Sequence, residues 1–85
     1  MEVIKSNLDL STEEQLDFYE KLFNALADKI RLKILQTINQ SQSKSLCVCD
    51  LEEQLELKQS KLSYHLKKLI DANILSAEKH GTWNY

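Results

Sequence analysis

Proline is absent from this sequence, glycine occurs once, at Gly81, and cysteine twice, at Cys47 and Cys49. Each scarcity removes a class of protein. The lack of proline and glycine excludes collagen-like and low-complexity linker chains. Two cysteines one residue apart exclude a disulfide-stapled scaffold. In a regular helix residues i and i+2 point about 200° apart, so this pair is poorly placed to bridge itself and is expected to remain as free thiols. No run approaches eighteen apolar residues, and Met1-Glu2-Val3-Ile4-Lys5 has neither the basic nor the apolar part of an export signal. Those absences predict a cytoplasmic protein without a membrane partner. No glycine-rich phosphate loop and no serine, histidine and acid at workable spacing are found, which argues against an enzyme.

What is present is 42% hydrophobic and 28% charged residue in a chain of 85, the balance of a mostly helical globular domain. A single domain, 1–85, is predicted. A chain so short buries only roughly 60% of the surface its unfolded form exposes, so a homodimer would help it. The net charge of −2 hides a division along the chain. Residues 1–27 carry six acids (Glu2, Asp9, Glu13, Glu14, Asp17, Glu20) against Lys5 and Lys21, a balance of −4. Residues 57–85 carry Lys58, Lys61, Lys67, Lys68 and Lys79 against Asp71 and Glu78, a balance of +3. An acidic half and a basic half suit a protein that turns one face to phosphate, although solvated helix faces give the same count.

Periodicity supplies the elements. Ser11-Thr12-Glu13-Glu14 fits a capping box with Ser11 as N-cap and Glu14 reaching back. The helix it opens, about 11–27, carries Leu16, Tyr19, Phe23 and Leu26 in one stripe, which is either core or, with Leu16, Tyr19 and Phe23, a dimerisation face. Asp28 can cap a second helix from Lys29, with Ile30, Ile34, Leu35 and Ile38 inward. Residues 39–45 are polar and read as a connection, after which Leu46 re-enters the core as a candidate short strand. A third helix from Val48 buries Leu51 and Leu55, and Leu57-Lys58 makes a turn. The helix beyond carries Leu62, Leu66, Leu69 and Ile70 on one side and Ser60, Lys61, Ser63, Tyr64, Lys67 and Lys68 on the other, with His65 on the boundary. Asn73 is a plausible left-handed stop. The runs 74–79 and 82–85 flank His80-Gly81, the signature of a two-residue hairpin turn that uses the only glycine. The fold class expected is therefore mostly α with a small β-hairpin wing, a winged helix-turn-helix, with the helix-turn-helix at about 47–72 and the wing at about 74–85.

Leu22-Phe23-Asn24-Ala25-Leu26-Ala27-Asp28, Arg31-Leu32-Lys33-Ile34-Leu35, Leu46-Cys47-Val48-Cys49-Asp50-Leu51, Gln59-Ser60-Lys61-Leu62-Ser63-Tyr64-His65-Leu66 and Gly81-Thr82-Trp83-Asn84-Tyr85 stand in the order and spacing of one family. Together they resemble the arsenical-resistance-operon repressors, the ArsR/SmtB family of metal-responsive regulators. The resemblance implies a homodimeric repressor on double-stranded operator DNA with an inverted repeat, needing no cofactor to bind. It also implies release by arsenic(III) or antimony(III) at Cys47 and Cys49, with cadmium or zinc as the other ions of the family. Three departures stand out. Glu52 occupies the position of the third cysteine many arsenic sensors carry, residues 1–27 lack the Cys and His of cadmium sensors, and the sequence ends at Tyr85 where family members continue into a further helix.

The chemistry of the candidates follows from their places. A cysteine in the first turn of a helix is acidified by unpaired N–H groups, and thiolates select soft ions. If the sulfurs diverge as in a regular helix, an ion could bind both only by distorting that turn, which would move the next helix. Gln59 and Lys61 are expected to read bases, with Ser60, Ser63, Tyr64 and His65 beside them. Lys58, Lys67 and Lys68, and Lys79 and His80 at the wing tip, are expected on phosphate. Other readings stay open: cysteines that are merely small buried residues, a redox or persulfide sensor on the same scaffold, and a winged helix that binds only protein.

Overall fold

A computed structural model describes residues 2–78. Among them it has four helices, α1 (Glu13–Leu26), α2 (Lys29–Gln40), α3 (Val48–Leu55) and α4 (Gln59–Asp71), and no strand. Mostly helical is therefore right, and α3 and α4 fall within the span 47–72. The wing is not seen: residues 74–78 are irregular, Leu46 is not in a strand, and the expected turn at His80-Gly81 and the return run to Tyr85 lie outside the described residues.

Local chemistry explains each helix boundary. The capping box of α1 sits one residue later than Ser11 and Glu14 would put it. Thr12 is the N-cap and its hydroxyl accepts from the Gln15 N–H at 3.1 Å. The Gln15 amide oxygen accepts in return from the Thr12 N–H at 3.1 Å, the Ser11 N–H at 2.7 Å and the Ser11 hydroxyl at 3.0 Å. One neutral amide thus accepts from three donors. Asp28 caps α2 as expected, accepting from the N–H groups of Ile30 at 2.8 Å and Arg31 at 3.1 Å. Among the described residues, three that are not glycine take up the left-handed conformation where the chain must turn: Lys44, Glu56 at the end of α3, and Asn73. Asn73 stops α4 as expected, and the Asn73 N–H to Ile70 and Ile74 N–H to Leu69 bonds, both 2.9 Å, complete a Schellman ending that folds Ile74 back towards the core.

The core is small. Ala25, Ile34, Ile38, Leu51, Leu62, Leu69 and Ala72 are buried, with Ile30, Leu35, Leu46, Val48, Leu55, Leu57, Leu66, Ile74 and Leu75 packed around them. α1 and α3 do not touch; each packs on α2 and α4, so α4 is seated by all three other helices. The expected stripe of α1 divides. Leu16 and Phe23 remain exposed, and Tyr19 stacks on Phe23 with ring centroids 5.8 Å apart.

Arg31 and His65 were not expected inside, yet both are buried. The guanidinium donates from Nε to the Ala25 carbonyl at 2.6 Å and from Nη2 to the Asn24 carbonyl at 3.0 Å, two acceptors left over by the end of α1. Its Nη1 faces His65 Nδ1 at 3.1 Å. A guanidinium only donates, so Nδ1 accepts and the His65 proton sits on Nε2. Asp28, 3.9 Å away, supplies the countercharge. One side chain thereby ties the end of α1 and the start of α2 to the middle of α4. Replacing it by the similarly long Arg31→Met leaves His65 and two carbonyls without their donor, and should lower stability by about 2–4 kcal/mol in urea unfolding. A loss under 0.5 kcal/mol would contradict this account.

The same cluster sets a pH dependence. Burial, with the Arg31 charge adding to it, lowers the His65 pKa below its ordinary 6.5. The unfolded chain then takes up a proton through pH 6.5 before the folded chain does, so the stability that neutral His65 contributes is complete above that pH and is lost as pH falls below it. Asp28 is held below its ordinary 3.8 chiefly by the Arg31 backbone N–H, so its contribution is lost only as pH falls through and below that value. The urea midpoint should drop between pH 7.5 and 5, and His65→Gln, whose amide can still accept from Arg31, should flatten that drop.

Candidate thiol site and DNA-facing helix

Cys47 stands just outside α3. It is the N-cap, with extended backbone at φ −73° and ψ 151°, and its sulfur accepts from the Cys49 N–H at 3.2 Å. Its carbonyl accepts from the N–H groups of Asp50 at 3.0 Å and Leu51 at 3.3 Å. The divergence expected for two residues inside a helix does not arise, because only Cys49 has helical backbone. The α-carbons are 5.3 Å apart and the two sulfurs are joined as a disulfide, correcting both the expectation of free thiols and that of sulfurs unable to meet. Cys47 is half-buried and Cys49 exposed.

A third group joins them. One ligand atom each from Cys47, Cys49 and Asp50 lies within 4.8 Å of the others. Glu52, which stands in sequence where a third cysteine might, is not part of that group. The signal for Asp50 was its place at the open N-terminal end of α3, where a carboxylate is favoured by the helix dipole.

Val48, between the cysteines, connects this site to α4. It lines a shallow depression of about 430 Å³ together with Gln59, Ser63, Leu66, Lys67, Ile70 and Asp71. The first turn of α3 and the outer side of α4 are thus two walls of one surface. Along that side Gln59, Ser60, Lys61, Ser63, Tyr64, Lys67 and Lys68 are all exposed. Lys67 pairs with Asp71 at 3.8 Å, and the Lys68 ammonium lies 5.6 Å from the centre of the Tyr64 ring. Lys58 is the N-cap of α4 and makes no side-chain capping bond, which leaves early N–H groups of α4 open. His65 is the exception among the expected contacts. At 5% exposure it cannot reach a base edge, and its role is to hold α4 through Arg31. Lys79 and His80 lie outside the described residues.

Away from both surfaces, α1 presents Leu16, Phe18 and Phe23, and α2 adds Leu32, all exposed. Phe18 falls off the spacing of the Leu16 stripe and Leu32 off that of Ile30, Ile34 and Ile38, so neither was singled out from the sequence. No described helix is long and apolar enough to cross a membrane.

Residues 28–77 match the model of the bacterial regulatory proteins of the arsR family. The chain is 50% identical over 78 residues to the arsenical resistance operon repressor of Bacillus subtilis, covering 92% of this chain and 72% of that one. It is 41% identical over 63 residues to the repressor of the same name from Escherichia coli, covering 74% of this chain and 52% of that one. For the one from Staphylococcus aureus the figures are 35% over 60 residues, 71% and 55%. The chain therefore spans about half the length of the last two. No solved structure matches it.

Exposure orders the two thiols. After reduction, Cys49 should alkylate faster than Cys47 in peptide mass mapping with iodoacetamide, and the order should vanish in urea. Equal rates in the folded protein would contradict the N-cap placement.

Proposed function

The chain belongs to the ArsR family of bacterial regulatory proteins and is a transcriptional repressor of that type rather than an enzyme; we propose that it is a homodimer that sits on operator DNA until arsenic(III) or antimony(III) engages Cys47 and Cys49. The observation that carries this reading is the meeting of two sulfurs at the first turn of the helix that packs against α4. Soft thiolates favour a soft ion, which supplies an electrophilic centre able to hold both sulfurs at once. Asp50 is the nearest further donor, but its hard oxygen makes it a poor arsenic ligand.

Gln59 and Lys61 read bases in the major groove, with Ser60, Ser63 and Tyr64 beside them; Lys58, Lys67 and Lys68, joined by Lys79 and His80, contact phosphate. The wing of the family completes the DNA face. Two α4 helices one DNA turn apart, about 34–36 Å, fit an inverted repeat. The second copy covers Leu16, Tyr19 and Phe23, and Phe18 joins that apolar surface. Release works through contact. Occupation of Cys47 and Cys49 changes the first turn of α3, Val48 moves against the Gln59 and Ser63 side of α4, and the reading helix leaves its register. A ~10⁴-fold preference for the released form reverses a 1:99 population, so a few kcal/mol suffice.

A second reading has its own support in the Cys47–Cys49 disulfide: the pair could sense an oxidant such as a peroxide or polysulfide, with thiol and disulfide forms differing in DNA affinity. The two are separated by titrating reduced, DNA-bound protein. Arsenite should release it, and Cys47→Ser or Cys49→Ser should abolish release while leaving DNA affinity within about two-fold. Peroxide release without arsenite release selects the redox reading, and persistence of arsenite release in both variants contradicts the first. Lys67→Ala should weaken binding to all sequences alike and reduce the salt dependence by about one ion.

A further inference from the structure

Operator reading depends, in the proposal above, on where α4 lies, and α4 is held on its inner side by a group that titrates. His65 is buried in the middle of that helix, next in sequence to Tyr64 on the exposed side. Its ring meets the Tyr64 ring edge-on with centroids 5.2 Å apart, and Tyr64 in turn has the Lys68 ammonium 5.6 Å from its centre. Arg31, His65, Tyr64 and Lys68 thus form one line of contacts from the core to the exposed side of α4.

The inner end of that line tolerates one charge. Neutral His65 accepts from Arg31 through Nδ1 at 3.1 Å, and Nδ1 is also the atom that a second ring proton must occupy. Protonation therefore replaces a hydrogen bond by two facing cations in a site that holds little water. Among the described residues the charges that bear on His65 are Asp28 at the N-cap of α2, Arg31 in α2 and Lys61 in α4 itself; no charge of α1 or α3 is among them. The end of α1 meets the cluster through the Asn24 and Ala25 carbonyls, both of which accept from Arg31. Asp28 caps α2 and faces Arg31 at 3.9 Å. Two cations thus oppose the second proton, and one shared carboxylate favours it.

We propose that His65 is a positioning residue for operator reading whose protonation unseats α4, so that acid weakens operator binding by the folded repressor. The inference rests on the DNA reading above and adds a regulator, the proton, to it. In the seated helix the ring stays neutral. A proton taken up below pH 6.5 requires α4 to shift until the ring meets water, and Gln59 and Lys61 shift with it. The sign is diagnostic. With the disulfide intact, the other groups that gain charge between pH 7.5 and 5.5 are His80 and the terminal amine. Cations added near phosphate strengthen DNA binding, so His65 alone acts in the opposite direction.

The test measures binding of the full chain, disulfide intact, to a labelled duplex from its own promoter and to a scrambled duplex of equal length, at pH 7.5, 6.5 and 5.5. Far-UV circular dichroism is recorded on the same samples. Promoter affinity should fall between pH 7.5 and 5.5 by about three- to ten-fold per bound protomer, the upper figure being that of a group that titrates normally when free and stays neutral when bound. Affinity for the scrambled duplex should hold or rise, and helical signal should not change. In His65→Gln, whose amide oxygen still accepts from Arg31, the promoter's pH ratio should drop below about two-fold; the comparison of the two duplexes stands without this variant if it does not fold. A fall shared equally by both duplexes overturns the proposal, as does one that persists in folded His65→Gln or one that follows loss of helical signal. Promoter preference that is independent of pH defeats this inference alone, whereas no promoter preference at pH 7.5 defeats the DNA reading and this inference with it.

Discussion

A buried guanidinium holds this fold in its working shape. The core offers few large side chains, and α4 must nevertheless be seated against α1, α2 and α3 to present a reading surface. Arg31 does much of that by spending its donors on the last carbonyls of α1 and on the ring of His65. A buried charge without partners would cost several kcal/mol, so the arrangement persists only because Asp28 is close and most donors are used. The consequence is directional. The side of α4 facing Arg31 is fixed, while Gln59, Ser63 and Lys67 on its other side share a depression with Val48 in the first turn of α3. The proposed release acts through that shared lining.

The second constraint is the position of one α-carbon. Had Cys47 been a residue inside α3, its sulfur would point away from that of Cys49. As the N-cap it has extended backbone, and the two sulfurs meet with the rest of α3 still helical. Binding by this pair thus requires no unwinding of the helix. In the proposed switch, displacement at Val48 takes the place of the distortion that helix geometry alone suggests.

Much of this was legible in the sequence. The helix pattern, the Asp28 cap and the Asn73 stop follow from short-range rules, because each depends on residues within a turn of one another. The N-cap of α1 was misplaced by one position because Ser11 and Thr12 are both competent caps, and the choice is made by where Gln15 can reach. Arg31 and His65 were illegible for a different reason. They lie thirty-four positions apart in the chain, and a charged residue between apolar neighbours reads as a surface residue until its partners are known. The thiol pair was seen, but its geometry was misjudged, since the angle between residues i and i+2 depends on whether the first has entered the helix. Asp50 was passed over for Glu52 because family spacing, rather than the position of the N-terminus of α3, guided the search for a third donor.

The most direct test of coupling between the thiol site and the reading helix is amide hydrogen exchange on reduced, DNA-free protein with and without one equivalent of bound arsenic(III). Protection should change together at the first turn of α3, residues 49–51, and in the first turn of α4, residues 59–63. Bound arsenic confirmed by mass, with exchange altered at the start of α3 but unchanged along α4, would contradict the account.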